Sequence, residues 1–137
     1  MKKYLFILIS FLFLNSCSVH TPLFIQNFTN DEVELKIISN HYLISQFSKI
    51  FYAEGIIRPG QFYNNSTQKY EITEVEFDHL TVSMILPCNS TVLLHQGVNE
   101  NYKKSIRQVL VNGKEINKKE FLSSLKKKGK SSIFKIK

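Results

Sequence analysis

Over residues 32–37 polar and apolar side chains alternate without interruption, with Val33, Leu35 and Ile37 set between Glu32, Glu34 and Lys36. Successive side chains of a strand point to opposite faces, so this period of two predicts a strand with one buried face. Leu80, Val82, Met84 and Leu86 repeat the pattern around Thr81 and Ser83 until Pro87, which has no N–H for a ladder, stops it. Apolar stretches at 23–27, within 45–55 and at 90–97 read as further strands, the last closed by Gly97. Residues 70–77 break their own rhythm. Tyr70 and Ile72 share one face while Val75 and Phe77 are displaced by one position, which predicts a bulge or a break near Glu74.

Turn chemistry separates these runs. Arg58-Pro59-Gly60-Gln61 predicts a tight turn, because proline presets φ and the glycine after it takes a positive φ. Asn112-Gly113 between apolar flanks predicts a two-residue hairpin, since both turn positions require positive φ. Directly after it, Asn117 and Glu120 have the spacing of a capping box. Phe121, Leu122 and Leu125 then fall on one side of a short helix that Gly129 would end, with Lys118, Lys119, Lys126 and Lys127 on its exposed face. Residues 131–137 read as a final strand. The expected fold is mostly β: a small antiparallel β-sandwich or barrel-like domain with one short C-terminal helix.

The N-terminus is of another kind. Behind Lys2 and Lys3 the chain is apolar from Tyr4 to Leu14, with Ser10 the one exception, and it turns polar at Asn15. Such a run spans about 16 Å as a helix, against a hydrocarbon core of about 30 Å, so the pattern is that of a secretion signal and not of a permanent membrane span. Leu14-Asn15-Ser16-Cys17 resembles the lipobox of bacterial lipoproteins, with an aliphatic residue three before the cysteine and a small residue directly before it. The resemblance covers about the first 20 residues. It implies cleavage after Ser16, a diacylglyceryl thioether on Cys17 and an acylated new N-terminus. In an envelope with two membranes, Ser18 in place of aspartate would imply the outer membrane. The alternative is cleavage by an ordinary signal peptidase near Ser16 or Ser18, which would release a secreted protein.

The expected organisation is therefore a signal peptide at 1–16, a lipidated N-terminus and short tether at 17–22, and one β-rich domain at 23–137. One acyl chain binds a membrane marginally, but each buried methylene adds about 0.8 kcal/mol, so several chains on one residue give a durable anchor. With Cys17 acylated, Cys88 has no partner for an intramolecular disulfide, and packing must supply the stability. A small buried residue near a turn is the expected role of Cys88.

Charge is unevenly spread. Residues 18–96 hold four basic and eight acidic groups, whereas residues 97–137 hold twelve basic and three acidic ones. Lys118, Lys119, Lys126, Lys127, Lys128 and Lys130 form the candidate surface for an anionic partner such as acidic head groups, lipopolysaccharide or cell-wall polymer. The other reading of these lysines is a solvated face.

No catalytic constellation emerges. His20, His41, His79 and His95 lie far apart, and none has a second ligand at a spacing typical of zinc. Glu74, Glu76 and Asp78 share one face of a strand, which suits a solvated edge. There is no phosphate-binding glycine loop and no nucleophile elbow. Asn27-Phe28-Thr29 matches a glycosylation acceptor that matters only in a eukaryotic host, and otherwise reads as turn residues. Phe24, Phe28, Phe47, Phe51, Tyr52, Phe62 and Tyr63 are expected mostly in the core, with any exposed subset available as a docking face.

Two functional expectations follow. The first is a non-catalytic lipoprotein, anchored in the outer membrane and facing the periplasm, that docks another envelope or secretion-machinery protein. Its β-rich outline behind a lipidated cysteine is similar in layout to lipoprotein subunits of contact-dependent secretion machines. The alternative is a periplasmic binding or inhibitor module whose basic C-terminal surface takes an anionic polymer or an enzyme. Neither expectation involves a cofactor, a metal, nucleic acid or a small-molecule substrate.

Overall fold

Period-two patterning becomes two stacked sheets. The structure, a computed structural model, describes residues 18–40, 49–78, 80–98 and 100–137. The segment 1–16, Cys17, His41, Phe47 and His79 lie outside these residues. One sheet has six strands, in spatial order β10 (Lys126–Lys128), β11 (Ser131–Ile136), β1 (His20–Asn27), β7 (Ser90–Val98), β3 (Phe51–Glu54) and β4 (Tyr70–Glu71). The other has five: β5 (Val75–Asp78), β6 (Thr81–Leu86), β2 (Val33–Ser39), β8 (Ile106–Val111) and β9 (Lys114–Asn117). Short helices occupy Pro59–Phe62 (α1), Tyr102–Ser105 (α2) and Lys118–Ser124 (α3). The described strand pairs are antiparallel apart from β1 with β11, which run parallel. The fold is a mostly β, sandwich-like domain.

Between the sheets lies the main core. Val33, Leu35 and Ile37 of β2 and Val82, Met84 and Leu86 of β6 meet Leu23 and Ile25 of β1 and Val92 and Leu94 of β7. Each such side chain, fully buried, contributes about 1.5–3 kcal/mol before chain entropy is counted. The outer face of the six-stranded sheet is covered as well. Phe24, Ala53 and Ile133 pack there under Phe62 of α1. Covered on both faces, β1 is buried from Thr21 through Asn27 and shows no alternation. Asn27 is structural: buried, it donates from Nδ2 to the carbonyls of Asp31 and Pro87 and accepts from Thr29 at Oδ1, fixing the turn into β2.

The Asn112-Gly113 hairpin forms as expected, with φ of 49° and 74°. Asn112 also exchanges two hydrogen bonds with the backbone of Glu34, tying the turn to β2. The slip near Glu74 proves to be a crossing between layers. Tyr70–Glu71 pairs with β3 in the six-stranded sheet, and Val75–Asp78 pairs with β6 in the other.

Several expectations are corrected. Arg58-Pro59-Gly60-Gln61 opens a helical turn: Pro59 sits at the first helical position, the Gln61 side chain accepts the Arg58 N–H at 2.9 Å, and Gly60 is not among the positive-φ glycines. The C-terminal helix ends at Ser124, Leu125 is extended, and Lys126–Lys128 is a strand paired with Ser131–Ile133. Lys118 and Lys119 are thus its only lysines from the candidate set, and Gly129, at φ 59°, turns the β10–β11 hairpin instead of capping the helix. β7 runs past Gly97 to Val98. Cys88 is exposed at the turn beyond Pro87, not buried. Phe28, Phe51 and Tyr63 are exposed too, whereas Phe24 and Phe62 are core.

Candidate functional site

Strand register decides where the candidate lysines lie. His20, at the start of β1, is opposite Val98 at the end of β7, and Leu23 is opposite Ser132 near the start of β11. The chain therefore comes into the fold at the same end of the sandwich as the β10–β11 turn, which carries Lys128 and Lys130. A partly buried contact fixes α2 to this end: the Glu100 N–H donates to the Thr21 hydroxyl at 2.6 Å. Lys103 and Lys104 follow on α2, and Lys118 reaches across to donate to the Lys104 carbonyl at 3.1 Å.

Glu100 is the hub. It adopts a φ of 55°, and its carboxylate forms ion pairs with Lys103 and with Lys127. Lys127 is thereby bound within the molecule, and Lys118 is half-buried. Lys119, Lys126, Lys128 and Lys130 are exposed. The structure thus gathers the candidate set along one edge and one end of the sandwich; all but Lys118 are exposed, and Lys118 and Lys127 are engaged within the molecule. Three lysines in an exposed edge strand also oppose pairing with a like edge, through repulsion and ammonium hydration.

The opposite seam is acidic. Glu71 in β4, Glu74 in the crossing and Glu76 in β5 lie at the far edges of the two sheets, and Glu71 pairs with Lys49 at 3.1 Å. Glu74, Glu76 and Asp78 are exposed, as the alternation predicts. Among the described residues no group of three or more histidine, cysteine or acidic side chains is placed to hold a metal, and no helix is long and apolar enough to cross a membrane.

Beneath the basic end lies a polar interior. Tyr102 is fully buried and donates to the Ser132 hydroxyl at 2.6 Å, and its ring meets His95 edge to face at 5.9 Å. His95 is 4% exposed, and burial pushes its imidazole below the ordinary value of 6.5. The unfolded chain then binds a proton that the folded chain refuses, so stability is complete above about pH 6.5 and falls as the pH drops below it. Urea unfolding at pH 7.5 and pH 5.5 checks this. The midpoint is expected to fall at the lower pH by more in the wild type than in His95→Gln; equal falls would remove His95 as the cause.

Sequence reasoning found the lysines and missed Glu100, whose link to Lys127 spans 27 positions and leaves no local pattern. Comparison of the chain with protein-family models, with curated proteins and with solved structures gives no match in any of the three.

Proposed function

We propose that this chain is a non-catalytic lipoprotein of a bacterial envelope, anchored through Cys17, whose β-sandwich docks another envelope component. The observation that carries the reading is the shared end of the molecule: the point where residue 18 leads into β1 lies beside the lysine-bearing β10–β11 turn. An acylated Cys17 would hold that end against the bilayer. Acidic head groups attract juxtamembrane lysines by about 1 kcal/mol each within a Debye length. The acidic seam, on the edge strands β4 and β5 at the far side from β10, would stay open to soluble partners. The outer membrane, facing the periplasm, is the location this reading assigns.

Metabolic labelling with palmitate, followed by fractionation and cross-linking in the native membrane, tests the proposal. Wild-type protein is expected to carry label, to sediment with membranes and to cross-link to an envelope protein. Cys17→Ser is expected to lose both label and membrane association. Unlabelled wild-type protein in the soluble fraction would sink the proposal.

The second reading, a periplasmic module that binds an anionic polymer or an enzyme, draws on the exposed Lys119, Lys126, Lys128 and Lys130. Screening separates the two. Retention on cell-wall or lipopolysaccharide preparations that is lost on raising salt favours the second reading, and salt-resistant co-purification with an envelope protein favours the first.

A further inference from the structure

We propose that the open edge of β11 takes an extended, acidic segment of a partner protein as an added strand. This deepens the docking role above and rests on it. On one side, β1 pairs with β11 from Ser132 through Ile136. On the other, β10 reaches only from Ser131 to Ile133. Beyond Ile133 no strand among the described residues covers that edge, and residues 134–137 line a groove. The Ile136 carbonyl is turned to the β1 side, where it accepts the Phe28 N–H at 2.9 Å, so alternation along the strand leaves the Lys135 N–H and C=O for the open edge.

The groove, of about 340 Å³, lies where α3 and β9 leave the seam of the sandwich open. Ile116, Phe134 and Ile136 give it an apolar lining. Lys114, Lys135 and Lys137 stand around it, and Glu120 is the one acidic side chain among the lining residues. Lys135 is steadied by the ring of Phe28, with its Nζ 4.9 Å from the ring centroid. The volume is at the small end of binding sites and suits a few side chains rather than a folded domain.

Three features select the occupant. An open strand edge offers N–H and C=O groups at ladder spacing, which another extended backbone satisfies and an acyl chain does not. An apolar lining accepts every second side chain of such a strand. The excess of ammonium groups calls for carboxylates on the incoming segment and opposes a basic one. The lower part of the same edge, where the three lysines of β10 lie, is the part the fold has closed.

The test is fluorescence anisotropy of a labelled octapeptide of alternating glutamate and valine, titrated with the mature lipoprotein in detergent at low ionic strength. Saturable binding is expected, weakening as salt is raised. A lysine–valine peptide, and a glutamate–valine peptide N-methylated at alternate amides, are expected not to bind. Lys114→Glu combined with Lys137→Glu is expected to weaken binding about tenfold, as two exposed attractions become repulsions. The lysine–valine comparison keeps the test decisive should that variant unfold.

Absence of binding would overturn the inference, as would equal binding of the N-methylated peptide or equal binding of inorganic polyphosphate. Self-association that the peptide displaces would assign the edge to a second copy of this chain and overturn a separate partner. Palmitate labelling and membrane cross-links do not depend on this peptide, so their persistence beside a failed titration would remove the strand site alone.

Discussion

Phe121→Ala is expected to lower the unfolding free energy by about 3–5 kcal/mol, a large part of the roughly 5–15 kcal/mol available to a domain of this size. Helix α3 spans seven residues. An isolated helix below about 12 residues is marginal in water, so packing must hold this one. Asn117 caps it by accepting the Glu120 N–H at 3.0 Å, but Phe121 is its only fully buried side chain. That ring lies 4.9 Å from Phe134 of β11, at an interplanar angle of 55°. Truncation leaves a cavity between helix and sheet that neighbouring strands, fixed by their ladders, cannot close. Because α3 leads into β10, loosening the helix also loosens the lysine strand. Urea denaturation should show the loss, and amide exchange at Lys126–Lys128 should quicken beyond what Leu122→Ala causes, since Leu122 is only half-buried. An unchanged midpoint would mean that the helix is not anchored at this ring.

Local rules carried the sequence reading where local physics decides the structure. Val33, Leu35 and Ile37 lie on a strand with one covered face, so their alternation is legible. Asn112 and Gly113 answer to turn geometry alone. The rhythm of residues 70–77 was equally legible as a break, but a break has the same pattern whether the strand bulges or changes sheets. Lys126–Lys128 shows the opposite case. Lysine is a good helix former, and glycine after a helical run is a common stop, so propensity favoured a longer helix. Pairing with Ser131–Ile133 overrides that propensity, and no pattern in the triple lysine announces it.

Exposure of aromatics was illegible for a related reason. Phe24 and Phe51 both project from the outer face of the six-stranded sheet, each opposite Leu93 across a strand pair. Helix α1 covers the first and leaves the second 38% exposed. Strand periodicity states which residues share a face, but not whether anything lies over it. The candidate site divides in the same way. Lysine count and position along the chain were readable, whereas the pairing of Lys127 with Glu100, and the common end shared by the turn at 129–130 and the start of β1, exist only through long-range register.

Gly97→Ala is expected to destabilise the domain by about 1–3 kcal/mol, although a glycine replaced by alanine in extended backbone usually gains a little from a less flexible unfolded chain. The sign turns on one ring. A register shift between Leu23 and Phe24 sets His95 opposite Leu23 and Leu93 opposite Phe24, leaving Leu94 as an extra residue, with Leu94 and His95 both buried. His95 and residue 97 share a face, and a Cβ at 97 would lie 2.8 Å from the Cδ2 and Cε1 of His95 and closer still to Nε2. The ring has little room to swing aside, because it packs edge to face on Tyr102, and Tyr102 is itself held by Ser132. The methyl must therefore displace either the imidazole or the strand. His95→Ala supplies the control: it loses its own packing, but Gly97→Ala added to it should cost almost nothing, leaving a coupling of the same size as the single-variant penalty. Displacement of His95 into water should also abolish its share of the acid sensitivity in Gly97→Ala. Additive penalties in the double variant would show that the strain lies in the backbone and not at the ring.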